Sequence, residues 1–136
     1  MSRVHVRVLA GGEHYALPVT AVLEIADTGQ VTPVPGAPTG VLGVRNLRGQ
    51  VIPVIDLATM LGLSDEAESE RIVVTEDGSL RAALAVTATV DVGELGAATE
   101  EVESPYLSGA ILVDGALVGI VDVPALLAAT APVEAR

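Results

Sequence analysis

Apolar and polar residues alternate from the first positions of the chain. Val4, Val6 and Val8 are interleaved with Arg3, His5 and Arg7, the period of a half-buried strand. Gly11-Gly12 turns that strand. Tyr15 to Val19 reads as a second strand, kinked near Pro18, and Val22 to Ile25 as a third. The stretch 32–38, TPVPGAP, is too rich in Pro and Gly for regular structure and reads as an ordered loop. Gly43 to Leu47 and Val51 to Ile55 predict a hairpin. Asp56 then caps a short helix, Leu57–Leu61, that Gly62 stops. Ser64 to Glu70 is acidic, has no core residues and reads as a linker. Beyond it, Arg71–Thr75 and Leu80–Val86 form a hairpin around Asp77-Gly78, and Val90 and Val92 mark another strand. Gly93 to Ser104 reads as a flexible acidic loop. Gly109–Val113 and Ala116–Val121 form a hairpin around Asp114-Gly115. Asp122 caps a last short helix with Pro124 in its first turn, and Ala129 to Arg136 is expected to fray. Short strands separated by turn signals predict an all-β chain built of small barrels.

The pattern occurs twice. Residues 16–25, ALPVTAVLEI, match residues 83–92, ALAVTATVDV. Residues 43–61, GVRNLRGQVIPVIDLATML, match residues 109–127, GAILVDGALVGIVDVPALL, without a gap. Gly43 aligns with Gly109, Gly49 with Gly115 and Asp56 with Asp122. What both copies share is scaffold, and what differs between them is where function is expected. The difference concentrates at one turn. Asn46-Leu47-Arg48-Gly49 presents an amide and a guanidinium, whereas Leu112-Val113-Asp114-Gly115 does not. Glu24 and Asp91 match in charge, but only Glu24 belongs to the copy with Arg48.

Composition narrows the function classes. A lone unit of about 65 residues would bury only roughly 60% of its surface, so the copies are expected to pack on each other. Net charge is −11, from 18 Asp and Glu against 7 Arg and no Lys. That balance argues against nucleic acid and against anionic membrane surfaces. No apolar run approaches the ~18 residues of a membrane span, and with no targeting segment the expected location is the cytoplasm. There is no Cys, Phe or Trp. The core must therefore come from Val, Leu, Ile and Ala.

Catalytic constellations are missing. His5 and His14 have no third ligand at a plausible spacing. Asp65, Glu66, Glu68 and Glu70 lack the calcium-loop pattern, as do Glu100, Glu101 and Glu103. No glycine-rich phosphate loop is present. Asp56 and Asp122 are each explained by capping. No metal, nucleotide or cofactor is expected, and what remains is a protein-binding module.

The run from Pro35 to Pro38, then Gly40 through Leu57 with its Asn46-Leu47-Arg48-Gly49 turn and the Val51-x-Pro53-Val54-x-Asp56-Leu57 segment, closing at Leu61-Gly62-Leu63, resembles the signature of the CheW family of chemotaxis coupling proteins. Tyr15 to Val19, Val22 and Glu24 fit upstream; Tyr106 to Gly109 and the Asp122 segment fit downstream. The likeness covers about residues 3–128. It implies two small SH3-like five-stranded β-barrels packed together in a pseudo-two-fold repeat, with short helices after Asp56 and Asp122. It also implies a non-catalytic adaptor that joins the cytoplasmic tip of methyl-accepting chemoreceptors to the regulatory domain of the histidine kinase CheA. Val22, Glu24 and Arg48 match the family's receptor-contact positions, and Asn46 sits beside Arg48. Barrel ends are implied to pair with the kinase, and the protein to be recruited to membrane receptor arrays without direct membrane insertion.

The expected organisation is a single CheW-like domain over 1–136. Residues 14–70 would form mainly the first barrel and 71–128 mainly the second, with the strand 3–9 shared between them. Two other readings compete. One is a CheW-like regulatory module of another two-component pathway, with pili or another output, although the chain is expected to leave no room for a fused kinase or receiver domain. The other is a small ligand-binding or enzymatic β-barrel, which would need a convergent polar pocket that the sequence does not supply.

Overall fold

The computed structural model describes residues 3–63 and 69–134. Among these described residues ten strands and two α-helices follow in order: β1 (Val4–Ala10), β2 (Glu13–Pro18), β3 (Val22–Asp27), β4 (Val41–Leu47), β5 (Gln50–Asp56), α1 (Leu57–Met60), β6 (Arg71–Asp77), β7 (Leu80–Val86), β8 (Ala88–Glu94), β9 (Leu107–Val113), β10 (Ala116–Val121) and α2 (Val123–Glu134). They build two five-stranded SH3-like barrels, with sheet orders β8-β1-β2-β10-β9 and β3-β6-β7-β5-β4. We call the second barrel, which holds β4 and β5, the Arg48 barrel, and the first the Asp114 barrel.

The sheets do not divide at residue 70, as expected from the sequence. Hairpin β6–β7 joins β3, β4 and β5, while hairpin β1–β2 joins β8, β9 and β10. Each half of the chain therefore lends its first hairpin to the other half's barrel, so β2 lies wholly outside the barrel assigned to 14–70, and β6 and β7 outside the one assigned to 71–128. The physical cause is the connection after the hairpin. A 3₁₀ turn of three residues, Val19–Ala21, separates β2 from β3, and Thr87 alone separates β7 from β8. In its own half's sheet each following strand would lie beyond the hairpin's first strand and run parallel to the strand it leaves, and a parallel crossover takes about a dozen residues or more. The strand bends onward into the other sheet instead. Thr87 N–H meets the Leu9 carbonyl at 2.9 Å at this crossing.

The packing of the two barrels on each other explains why several strands are apolar on both faces. Val73, Leu84, Ile55, Tyr15 and Leu17 point into the core between barrels, with Leu126 and Leu127 of α2. Their neighbours Ile72, Val74, Ala83, Ala85, Ile52 and Val54 fill the Arg48 barrel, and Ala16, Val118 and Ile120 fill the other. Burying both faces removes the polar alternation that marks a half-buried strand.

The internal repeat is obeyed in detail. The 2.7 Å bond from Asp56 N–H to the Gly40 carbonyl recurs at 2.8 Å from Asp122 to Tyr106. Each barrel is closed by a bridge from the preceding loop, Thr32 to Val44 in one and Glu100 to Ala110 in the other. Gly43 and Gly109 permit those approaches. A Cβ on Gly43 would lie 2.1 Å from the Thr32 carbonyl oxygen, and one on Gly109 would lie 2.7 Å from the Ala98 methyl.

Two local expectations change. The loop expected over 93–104 begins only after β8 ends at Glu94, and Thr99 and Glu100 are anchored by N–H bonds of 2.9 Å to the Ala110 carbonyl. The tail expected to fray from Ala129 is helical to Glu134, and Thr130 is buried with its hydroxyl on the Leu126 and Leu127 carbonyls. Packing of the apolar helix face into the shared core holds it there. Residues 64–68 of the expected linker lie outside the described residues.

Candidate functional site

The Arg48 turn is a two-residue loop closed by the Leu47–Gln50 pair. Arg48 has φ 54° and Gly49 φ 85°, the pattern of a type I′ turn, in which both central residues have positive φ. Asp114 and Gly115 repeat it at 48° and 82°. Asp tolerates this left-handed region because its short side chain bonds locally, and Arg has no such relief. Holding Arg there costs roughly 1–2 kcal/mol.

Across the barrel end, Arg48 Nη2 lies 3.0 Å from Glu24 Oε2, with the arginine side chain 80% exposed and the glutamate 26%. An ion pair that open to water contributes only ~0–1 kcal/mol, so it does not offset the backbone cost. The pair borders a cleft of about 130 Å³ whose apolar floor is Leu47, Ile52 and Val74, with Leu23 at the rim. Small-molecule pockets begin near ~300 Å³, so this cleft suits a side chain or two from a protein partner. Leu23, itself exposed, adds apolar surface at the cleft's edge.

The four residues singled out in the sequence do not share one role. Glu24 and Arg48 meet in the cleft. Asn46 stands in the same turn, but its Oδ1 accepts the Gly49 N–H at 3.0 Å, so its side chain secures the turn. Val22 lies elsewhere. A bulge between Val22 and Glu24 shifts the register of β3 on β6, and Val22 packs half-buried against the core between barrels. Leu23 lines the cleft in its place.

Sequence reading also missed Arg81 and Gln50. Arg81 lies on the far side of the cleft, with Nε 3.1 Å from Glu76 Oε2 and Nη1 donating to Gln50 Oε1. The repeat places Arg81 in the other copy from Arg48, and only the hairpin exchange brings them to one barrel end. A legible signal existed in the single residue Thr87 between β7 and β8.

In the Asp114 barrel the matching carboxylate, Asp91, pairs at 3.2 Å with Arg7 of the adjacent strand β1. A cleft of about 200 Å³ there gathers Asp91, Glu94 and Asp114 beside Arg7, so the two barrel ends differ in charge. Among the described residues, no group of three or more His, Asp and Glu is placed to hold a metal ion, and no helix is long and apolar enough to cross a membrane.

Residues 5–131 match the CheW-like domain family. A chemotaxis protein CheW from Rhizobium meliloti is 37% identical over 84 residues, 60% of this chain and 54% of that protein. Protein PilI from Pseudomonas aeruginosa is 36% identical over 78 residues, 56% of this chain and 44% of that protein. The chain thus spans about half the length of each of these curated relatives. The solved structure of the scaffolding protein TtCheW from Thermoanaerobacter tengcongensis superposes with a TM-score of 0.80 at 27% identity, covering 90% of this chain and 86% of that one.

Proposed function

The chain belongs to the family of CheW-like domains, non-catalytic scaffolds of chemotaxis, and from that premise we propose that it couples chemoreceptors to the histidine kinase CheA. In this reading the cytoplasmic tip of a receptor docks at the Arg48 cleft, an apolar side chain entering over Ile52 and Val74 while a polar group meets Arg48. The kinase's regulatory domain pairs with barrel surfaces away from that turn. The protein works in the cytoplasm and is drawn to receptor arrays by these contacts.

One observation carries the reading. The Arg48 turn keeps a residue that its backbone disfavours, exposes it, and pairs it too weakly to repay the cost. Strain retained without a stability return points to selection for binding. The other copy, with the same turn geometry, carries the tolerant Asp114.

The test is Arg48→Asp, which installs the other barrel's own turn residue. Folding stays near wild type, while affinity for a receptor-tip fragment drops by ~1–3 kcal/mol, the size of a lost charged hydrogen bond. Affinity for the kinase regulatory domain changes less. Unchanged receptor affinity together with a lower melting temperature would show that Arg48 serves the fold alone. The similarity to PilI favours one second reading, in which the same coupling serves another two-component pathway, with pili or another output.

A further inference from the structure

We propose that Arg81, Gln50 and Glu76 form a brace that holds the strained Arg48 turn in its binding geometry, which makes Arg81 a positioning residue for recognition at the cleft. The inference rests on the reading of Arg48 as a receptor contact and extends it to residues outside the turn.

Gln50 is the first residue after the turn and pairs with Leu47 across it. Its side-chain carbonyl accepts Nη1 of Arg81. Arg81 is fixed in turn by its cross-strand partner Glu76, whose Oε2 receives Nε at 3.1 Å. The pair is only about one-third exposed. It also stands between two depressions, since Arg81 lines the Arg48 cleft and Glu76 lines the hollow at the junction of the barrels. The brace therefore ties the turn to hairpin β6–β7, which reaches this barrel from the other half of the chain.

The other barrel supplies the control. Leu9, His14 and Ala116 occupy the positions matching Glu76, Arg81 and Gln50, and cannot form such a chain of bonds. His14 Nδ1 is buried without a hydrogen-bond partner. That barrel has Asp114 in its turn, a residue that accepts positive φ on its own. A brace thus accompanies the turn that needs one and is missing from the turn that does not. A guanidinium aimed at a partner from an unbraced turn would sample many positions and lose binding free energy to ordering.

The experiment combines Gln50→Ala, which copies Ala116, with Arg81→Leu and the conservative Gln50→Glu, each made in wild-type and Arg48→Asp backgrounds. Titration of a receptor-tip fragment reads affinity, and hydrogen exchange at the Gly49 amide reads the turn without any partner. In the wild-type background, Gln50→Ala and Arg81→Leu weaken binding by about 3–10-fold, and Gln50→Glu retains it. In the Arg48→Asp background neither costs anything further. Exchange at Gly49 accelerates while Gly115 keeps its rate. Equal losses in both backgrounds, or no loss in either, overturn the brace. If Arg48→Asp itself leaves receptor affinity unchanged, the receptor reading fails, and Gly49 exchange alone decides whether the brace exists.

Discussion

Arg48 shows how a single residue can separate stability from recognition. Replacing it with Asn creates Asn-Gly, the preferred pair for a type I′ turn. The change relieves roughly 1–2 kcal/mol of left-handed strain and removes an exposed ion pair of at most ~1 kcal/mol. Arg48→Asn is therefore expected to leave the denaturant midpoint unchanged or raised while receptor affinity is lost. A midpoint lowered by more than ~1 kcal/mol equivalent would mean that the Glu24 pair, and not partner binding, keeps Arg48 in place. Tyr15 supplies a second prediction at this scale. Burial, with a smaller push from the Glu13 charge, raises its phenol above the ordinary tyrosine value. The folded state thus keeps its proton where the unfolded chain has already released one. The stability linked to Tyr15 is complete below pH ~10 and declines as pH rises past the unfolded value toward the folded one. Urea unfolding of Tyr15→Phe between pH 9 and 11 should show a flatter alkaline decline than wild type; a parallel decline would assign the loss to other groups.

At the level of elements, the features legible in the sequence were those governed by neighbouring residues. Both caps form as read: Asp56 Oδ2 accepts the Thr59 N–H at 3.3 Å and Asp122 Oδ1 accepts the Ala125 N–H at 3.1 Å. The hairpins at Arg48-Gly49 and Asp114-Gly115 were equally plain, because glycine and local alternation fix a tight turn. The end of α2 was not legible. Its last turns carry Pro132, which a helix interior disfavours, and a helix this short is marginal in isolation; their order comes from Leu126 and Leu127 in the shared core and from buried Thr130. Barrel closure was likewise hidden, since Gly43 reads as an ordinary strand glycine until Thr32 arrives over it. Gly43→Ala is expected to cost about 3 kcal/mol or more by driving a methyl into the Thr32 carbonyl and opening its bridge to Val44. Gly12→Ala, with open space around it, should cost only the ~1–2 kcal/mol of its positive φ. Comparing the two melting curves checks the mechanism, and equal costs would mean that φ alone explains both.

The whole molecule depends on an exchange that no local signal encodes in full. Alternation and repeat specify which strands each copy contains and how neighbours pair. They leave open which copy's sheet receives a given hairpin, because either choice buries the same apolar faces. Only the connectors decide, and they decide by being too short for a parallel crossover. This arrangement sets the cooperativity of folding. Without residues 69–136 the first half has β1–β2 but neither β8 nor β10 to flank it, and β3 loses its sheet neighbour β6. The second half is depleted in the same way. For either half to fold alone, its first hairpin would have to reverse across Val19–Ala21 or Thr87 into its own sheet, and a unit of about 65 residues would remain marginal even then. The expectation is that fragments 1–63 and 69–136 are each without a cooperative melt, and that mixing them at equal concentration restores the β-sheet circular dichroism and a single transition. The midpoint of that transition should rise with fragment concentration, as mass action requires when folding and association are one event. A fragment that melts cooperatively on its own, at a midpoint independent of concentration, would show that a half can retract its hairpin and close its own barrel.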